Sequence, residues 1–218
     1  MRHRRQVVGI DRGDWVRRRF ALFSRRTNKD TDPDMTADRF DIRPSRPADR
    51  AAIETLYPQA FPDEDLLPVV RDLLDHGEGV LSLVAAAASA EPAPDLVGHV
   101  AFTPCSLAGT AERLSMLAPL AVAPAWQRQG LGRALVREGV RRLAEAGVTR
   151  VFVLGDPAYY GRFGFEPERG VQPPYPLPEE WHDAWQSLGL GDTGRPGSPL
   201  RGTLAVPEPW RQPALWAP

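Results

Sequence analysis

The chain is nearly without cysteine, lysine and histidine, and each scarcity removes a class of chemistry. One cysteine, Cys105, leaves no second thiol for an internal disulfide and points to a reducing compartment, the cytoplasm. A small buried apolar side chain is its expected role, with a reactive thiol as the alternative. Four histidines, at positions 3, 76, 99 and 182, are too scattered to suggest a metal site, so no metal is expected. The lone lysine, Lys29, stands among 27 basic residues, and no Gly-Lys-Ser/Thr sequence exists to form a nucleotide-triphosphate loop. No apolar run reaches the length of about eighteen residues that a membrane span needs. What remains is an ordinary globular composition, 42% hydrophobic and 25% charged, over 218 residues: one domain, or one domain with tails.

Charge is unevenly spread. The first 34 residues hold ten Lys/Arg against five Asp/Glu, so this stretch is net positive and the remainder net negative. It reads as a flexible basic arm, or as an upstream extension with Met35 as the working start. A nucleic-acid arm or an organellar presequence are the sharper alternatives, and Asp11, Asp14 and the acidic run to Asp34 weaken the second. Nucleic acid is not the expected partner. The tail is equally distinctive: from Glu166 onward lie eleven of the 23 prolines.

The most informative segment is LAVAPAWQRQGLG, Leu120 to Gly132. A short apolar strand meets a proline turn, and a glycine-rich opening leads into a helical pattern from Arg133 to Ala146, closed by Gly147. The first-turn amides of a helix lack internal acceptors, and the helix dipole favours an anion there. A phosphorylated cofactor is the natural guest. The glycines could instead serve only a tight strand-to-helix turn. A dinucleotide fingerprint would need a third glycine where Leu135 stands.

Downstream, the apolar run Arg150 to Leu154 reads as a buried strand. Asp156 looks like a helix cap with Pro157 as the first helical residue, followed by AYYGRFGF from Ala158 to Phe165. Aromatic core packing is the plain reading of those rings.

Taken in order, Gln127-x-x-Gly130-x-Gly132 resembles the pyrophosphate motif of the GNAT superfamily of N-acetyltransferases, and Tyr160-x-Arg162-x-Gly164-Phe165 resembles its second motif. The strings VGHVAFTP, PLAVAPAWQRQGLG and VLGDPAYYGRFGFEP are similar to the YhbS-like branch, over about Phe40 to Pro178. The resemblance implies a mixed α/β fold: a mostly antiparallel sheet with a splayed V between two strands and helices on both faces. It implies acetyl-CoA as co-substrate and an amine as acceptor. Leu120, Ala121 and Val122 would pair with the cofactor's pantetheine arm, as a strand adds to an unpaired edge. Gln127, Arg128, Gln129, Gly130, Leu131, Gly132, Arg133 and Ala134 would cradle the pyrophosphate, with Arg162 in the family's basic position. Tyr160 would return a proton to the departing thiolate, since a phenol stays protonated at neutral pH. A non-catalytic acyl-CoA sensor is the alternative function, and a monomer or homodimer is expected.

Around these motifs, a strand is expected at Phe40 to Arg43 and a helix at Arg50 to Leu56 with Ala51, Ile53 and Leu56 inward. A second helical run from Asp63 places Leu66, Val70, Leu73 and Leu74 at helical spacing. Strands follow at Val80 to Ala88 and Asp95 to Phe102, around a turn at Glu91 to Pro94, and then at Leu114 to Val122. A short helix is expected at Glu179 to Gln186, and a last strand at Gly202 to Val206 is expected to pair at the sheet end. The domain would run over 38–170, with 171–218 as a Pro-rich extension. No motif selects the general base: His99 has a suitable intrinsic pKa but suits core packing, Glu54, Glu64 and Glu112 are available, and Asp156 suits capping.

Overall fold

Apolar runs of strand length alternate with amphipathic helices along the chain, and the computed structural model, which describes residues 39–87, 96–190 and 200–216, packs them around one sheet. β1 (Phe40–Pro44) leads through a short 3-10 turn to α1 (Arg50–Ala60) and α2 (Leu67–His76). β2 (Leu81–Ala87), β3 (Leu96–Cys105) and β4 (Leu114–Val122) form a meander, and α3 (Leu131–Glu145) crosses to β5 (Arg150–Leu154). α4 (Pro157–Tyr160), β6 (Glu166–Pro167), β7 (Val171–Gln172), β8 (Trp185–Gly189) and β9 (Gly202–Thr203) complete the order. The seven-stranded sheet runs β1-β2-β3-β4-β5-β8-β6. Its one parallel pair is β4 with β5; the other neighbours are antiparallel.

Each face of the sheet has its own core. On one side lie α1, α2 and the C-terminal segment, with Ile53, Tyr57, Val70, Met116, Phe152, Trp185, Trp210 and Trp216 among the buried residues. On the other, Leu131, Leu135, Val136 and Leu143 of α3 pack with Val100, Phe102, Leu117, Leu120, Tyr159 and Tyr160. The spacing of those α3 positions makes one apolar stripe, and burying each such side chain contributes about 1.5–3 kcal/mol. The solvent face of α3 carries the Glu138–Arg141 and Glu138–Arg142 ion pairs, which add little.

Several boundaries differ from the sequence expectation. α1 runs on past Leu56 because Tyr57 and Ala60 are buried against the sheet, whereas Ala51 is exposed. α2 begins at Leu67 rather than Asp63: Asp65 Oδ1 accepts from the Leu67 amide at 3.2 Å, and Pro68 occupies the first turn, where proline suits a helix start. α3 begins at Leu131 rather than Arg133. No α-helix spans Glu179 to Gln186: a 3-10 turn at Glu179–Trp181 gives way to β8, which pairs with β5 and β6 inside the main sheet. Trp185 stacks on Phe152 at 5.5 Å, and its indole N–H donates to Val171 O at 2.7 Å. The last strand is real but short. β9 pairs with β7 in a separate two-stranded sheet, and Ala205 bridges to Ser106, so neither extends the main sheet at its end. The basic arm over 1–34 and the turn at Glu91 to Pro94 lie outside the described residues. Among the described residues, no helix is long and apolar enough to cross a membrane.

Candidate active site

A gap in the sheet organises the site. β4 pairs with β5 only from Leu114 to Met116, against Arg150 to Phe152. Beyond that, β4 continues to Val122 with β3 as its one strand partner, through a register shift that sets Leu117 opposite Phe102 and Leu120 opposite Val100. The extra residue on β4 is a bulge, which bends the strand away. A cis peptide joins Ala118 to Pro119 here. The Ala123 amide donates to Val97 O on the β3 side. By the alternation of an antiparallel ladder, the main-chain groups of Leu120 and Val122 therefore face the gap. The Val122 carbonyl meets the Gln127 side chain, whose Nε2 donates to it at 3.0 Å.

That contact folds the loop into α3. Arg128 (φ 60°) and Gly130 (φ 88°) are both left-handed, a conformation that comes at little cost to glycine. Gln129 Nε2 donates to Ala125 O at 2.7 Å, while Arg39 donates to Gln129 Oε1 at 2.8 Å. The Ala134 amide donates to Gly130 O. The amides of Leu131, Gly132 and Arg133 precede that first helical bond, and Gly130 at the cap position has no side chain to meet them. Three amides at the positive end of a 15-residue helix form a cradle that can receive an anion. Gln127 shapes this cradle through β4. The Leu131 side chain is turned into the core beneath α3. Arg162 lies apart from the loop's own bonds: its guanidinium sits 5.0 Å from the centre of the Tyr159 ring and donates to Ala158 O at 3.4 Å.

The opposite lip of the gap is the turn after β5. Asp156 caps α4 as expected, the Ala158 amide donating to its Oδ1 at 2.8 Å; its Oδ2 is buried with no hydrogen-bond partner among the described residues. Tyr160 is 7% exposed and packs edge-on against Tyr159 and Phe165. Burial first, then the neighbouring Tyr159 and Asp156, raises its phenol well above the ordinary value, so it stays protonated. Two residues that the motif reading passed over set the position of this ring. A Cβ on Gly155 would stand 2.2 Å from Tyr160 Cε2, so only glycine admits the ring there. Gln186, 1% exposed, donates to Gly155 O at 2.9 Å from β8.

Between the lips lies a cavity of about 110 Å³. Leu120, Tyr159 and Tyr160 line it from the α3 face, and Met116, Trp210 and Trp216 line it from the other, so it passes through the sheet at the splay. Of the groups considered as bases, Glu64 and Asp156 line this cavity. Glu54 is paired with Arg50 and Arg71, and Glu112 accepts from Thr149 at 2.8 Å. His99 is sealed at 1% exposure, with Tyr57 Oη 2.6 Å from Nδ1 and Ser82 Oγ 2.9 Å from Nε2; burial pushes its pKa down to about 3. It is a packed, bridging histidine. Burial also pushes the Cys105 thiol up to about 12, which makes it a poor nucleophile. Trp210, Leu215 and Trp216 were missed as site residues. Their one sequence signal was large apolar side chains in a proline-rich tail.

Comparison with known proteins agrees with this geometry. The profile described as the acetyltransferase (GNAT) family matches residues 50–165. The chain is similar to the N-acetyltransferase YjhQ of Escherichia coli K12, with 34% identity over 188 residues, 83% of this chain and 99% of that protein. It is similar also to the N-acetyltransferase YhbS of the same strain, with 39% identity over 125 residues, 57% of this chain and 72% of that one. The crystal structure of YhbS from Escherichia coli with CoA superposes at a TM-score of 0.68 and 32% identity, covering 84% of this chain and 97% of that one. An acetyltransferase from Brucella melitensis with acetyl-CoA gives 0.61 and 30%, covering 79% and 99%.

Proposed function

Because this chain belongs to the acetyltransferase (GNAT) family, we propose that its cavity is where an acetyl group passes from acetyl-CoA directly to an amine. The chain is an N-acetyltransferase with acetyl-CoA as donor. One observation carries the assignment of the site: the loop into α3 is tied through Gln127 to Val122 on one lip of the gap, and Tyr160 lines the cavity that separates the lips. Amides at 131–133 hold the pyrophosphate, aided by the basic side chains of Arg128 and Arg133. The gap-facing main chain of Leu120 and Val122 binds the pantetheine arm as an added strand would. An amide of this same edge donates to the thioester oxygen as negative charge develops. As the new C–N bond forms and the C–S bond breaks, Tyr160 Oη gives its proton to the departing sulfur, and the proton shed by the attacking nitrogen restores the phenol. The acceptor must reach the carbonyl as a neutral amine, and holding both reactants in one passage supplies much of the acceleration.

Cytoplasmic placement rests on Cys105, a free thiol with no second cysteine in the chain.

The test uses the full chain. Calorimetry with acetyl-CoA reads donor binding; thiol release with an amine panel, and the mass of each acceptor, read transfer. Saturable binding together with an acetylated amine is expected. Binding without transfer to any amine would make the chain an acyl-CoA-binding module instead.

A further inference from the structure

The turn from β5 into α4 brings two ionisable side chains to the cavity, and the reaction described above uses one of them. Asp156 stands one helical turn before Tyr160, and both residues line the cavity. The Asp156 carbonyl accepts from the Tyr159 amide at 3.0 Å and from the Tyr160 amide at 2.9 Å, while Oδ1 accepts from the Ala158 amide at 2.8 Å. These bonds hold the residue against α4 and account for one carboxylate oxygen. The other, Oδ2, is buried and has no hydrogen-bond partner among the described residues.

Capping does not explain that second oxygen. Serine, threonine or asparagine caps a helix as well as aspartate does, without burying a charged atom that has no donor. Such an atom is unfavourable by itself, and in a native fold it calls for a role. The reaction supplies one. The attacking nitrogen must shed a proton as the C–N bond forms, and the phenolate left on Tyr160 must regain one. The charge of Asp156 is felt by that phenol: after burial and the neighbouring Tyr159, it is the third cause that raises the Tyr160 pKa. A negative neighbour favours return of the proton to the phenolate. Glu64, the other carboxylate of the lining, belongs to the loop between α1 and α2 and has an interaction of its own.

We propose that Asp156 is the proton carrier of the transfer: its Oδ2 takes the proton shed by the attacking nitrogen, directly or through one water, and passes it to Tyr160 Oη. The N–H bond breaks as Oδ2–H forms. Oδ2–H then breaks as the Tyr160 O–H is remade, replacing the proton that went to sulfur. Carboxylate and phenol both end as they began, and no further reactant is consumed. This role rests on the acetyl-transfer reading above and gives that reading its base.

Asp156→Asn separates capping from proton transfer, because the amide oxygen still caps α4 while the NH2 group cannot take a proton. With the full chain and a primary amine (methylamine, phenethylamine or spermidine), kcat should fall by about a hundredfold or more, the usual worth of a positioned base. Acetyl-CoA affinity by calorimetry and the melting temperature should hold. Asp156→Ser, a second cap without a carboxylate, should behave alike. Hydroxylamine has a far less basic nitrogen that yields its proton readily to water, so with it the loss should be only about tenfold or less. Unchanged turnover of the amine would overturn the proposal. An equal loss with amine and hydroxylamine would overturn it too, making Asp156 a part of the cavity wall and nothing more. A wild type that binds acetyl-CoA yet acetylates none of these nucleophiles would overturn the transfer reading, and this role with it.

Discussion

At the scale of single residues, the phenol of Tyr160 is placed and tuned by its neighbours. Its ring is wedged beside Gly155, and burial keeps its proton on well beyond neutral pH. Tyr160→Phe keeps the ring and removes only the proton, so kcat should fall by about a hundredfold or more while acetyl-CoA affinity holds, the usual worth of a positioned general acid. Stopped-assay kinetics with parallel calorimetry checks this, and equal turnover would remove Tyr160 from the mechanism. A proton donor at this position would act in its protonated form, and as its pKa is raised it should produce no falling limb in the pH–rate profile at neutral or mildly alkaline pH. Tyr160 was legible in the sequence because its spacing to Gly164 is local. Gln186, whose amide supports Gly155, was not: 31 residues separate donor and acceptor, and only β8 brings them together. Glu64 stood among four glutamate and histidine candidates for the same reason, since a cavity has no sequence period.

Elements decide the next level. The strand–loop–helix unit from β4 to α3 was readable because each part has a local cause: apolar run, proline turn, left-handed glycine, amphipathic stripe. Its anion cradle can be tested in isolation from the fold. Gly130→Glu adds a negative side chain at the first turn of α3 and forces a non-glycine residue to φ 88°. Gly130→Ala carries the same backbone strain, about 1–3 kcal/mol, without the charge. CoA affinity should drop by at least about a hundredfold in the glutamate variant, because like charges placed together cost several kcal/mol. The alanine variant should lose much less, with both variants matched for melting temperature. Equal losses would mean that loop geometry, rather than charge, holds the cofactor. β8 failed to show itself for the opposite reason. In EEWHDAW, Trp181 and Trp185 fall four apart, as on a helix face, but Trp185 is claimed by its stack on Phe152 and by pairing with Leu154. Tertiary pairing overrides local pattern there.

Across the whole molecule, two buried polar hubs tie distant segments together and make stability depend on pH in separable windows. His99 links α1 to β2 through Tyr57 and Ser82. Glu168 accepts from Ser187 Oγ at 2.7 Å, from the Gly170 amide at 2.7 Å and from the Val171 amide at 3.1 Å, and pairs with Arg150, joining β5, β7 and β8. Burial alone would raise the Glu168 carboxyl, but these donors, with the charge of Arg150, outweigh it and hold it below its ordinary value. Both folded pKa values are therefore depressed, so both groups contribute stability at neutral pH that is lost on acidification. For His99 the loss begins at its unfolded value of 6.5 and continues towards about 3. For Glu168 it begins only below about 4.5. Between pH 7 and 5, His99 should then cost the wild type about 2 kcal/mol, roughly 1.4 kcal/mol for each pH unit below 6.5. His99→Gln retains an amide able to meet Tyr57 and Ser82, and it should flatten the slope of urea-unfolding free energy over that interval whatever its absolute stability. Glu168→Gln should leave that interval's slope intact and flatten the one below pH 4.5. If His99→Gln unfolds with the wild-type slope between pH 7 and 5, the buried neutral histidine is not what couples this fold to acid.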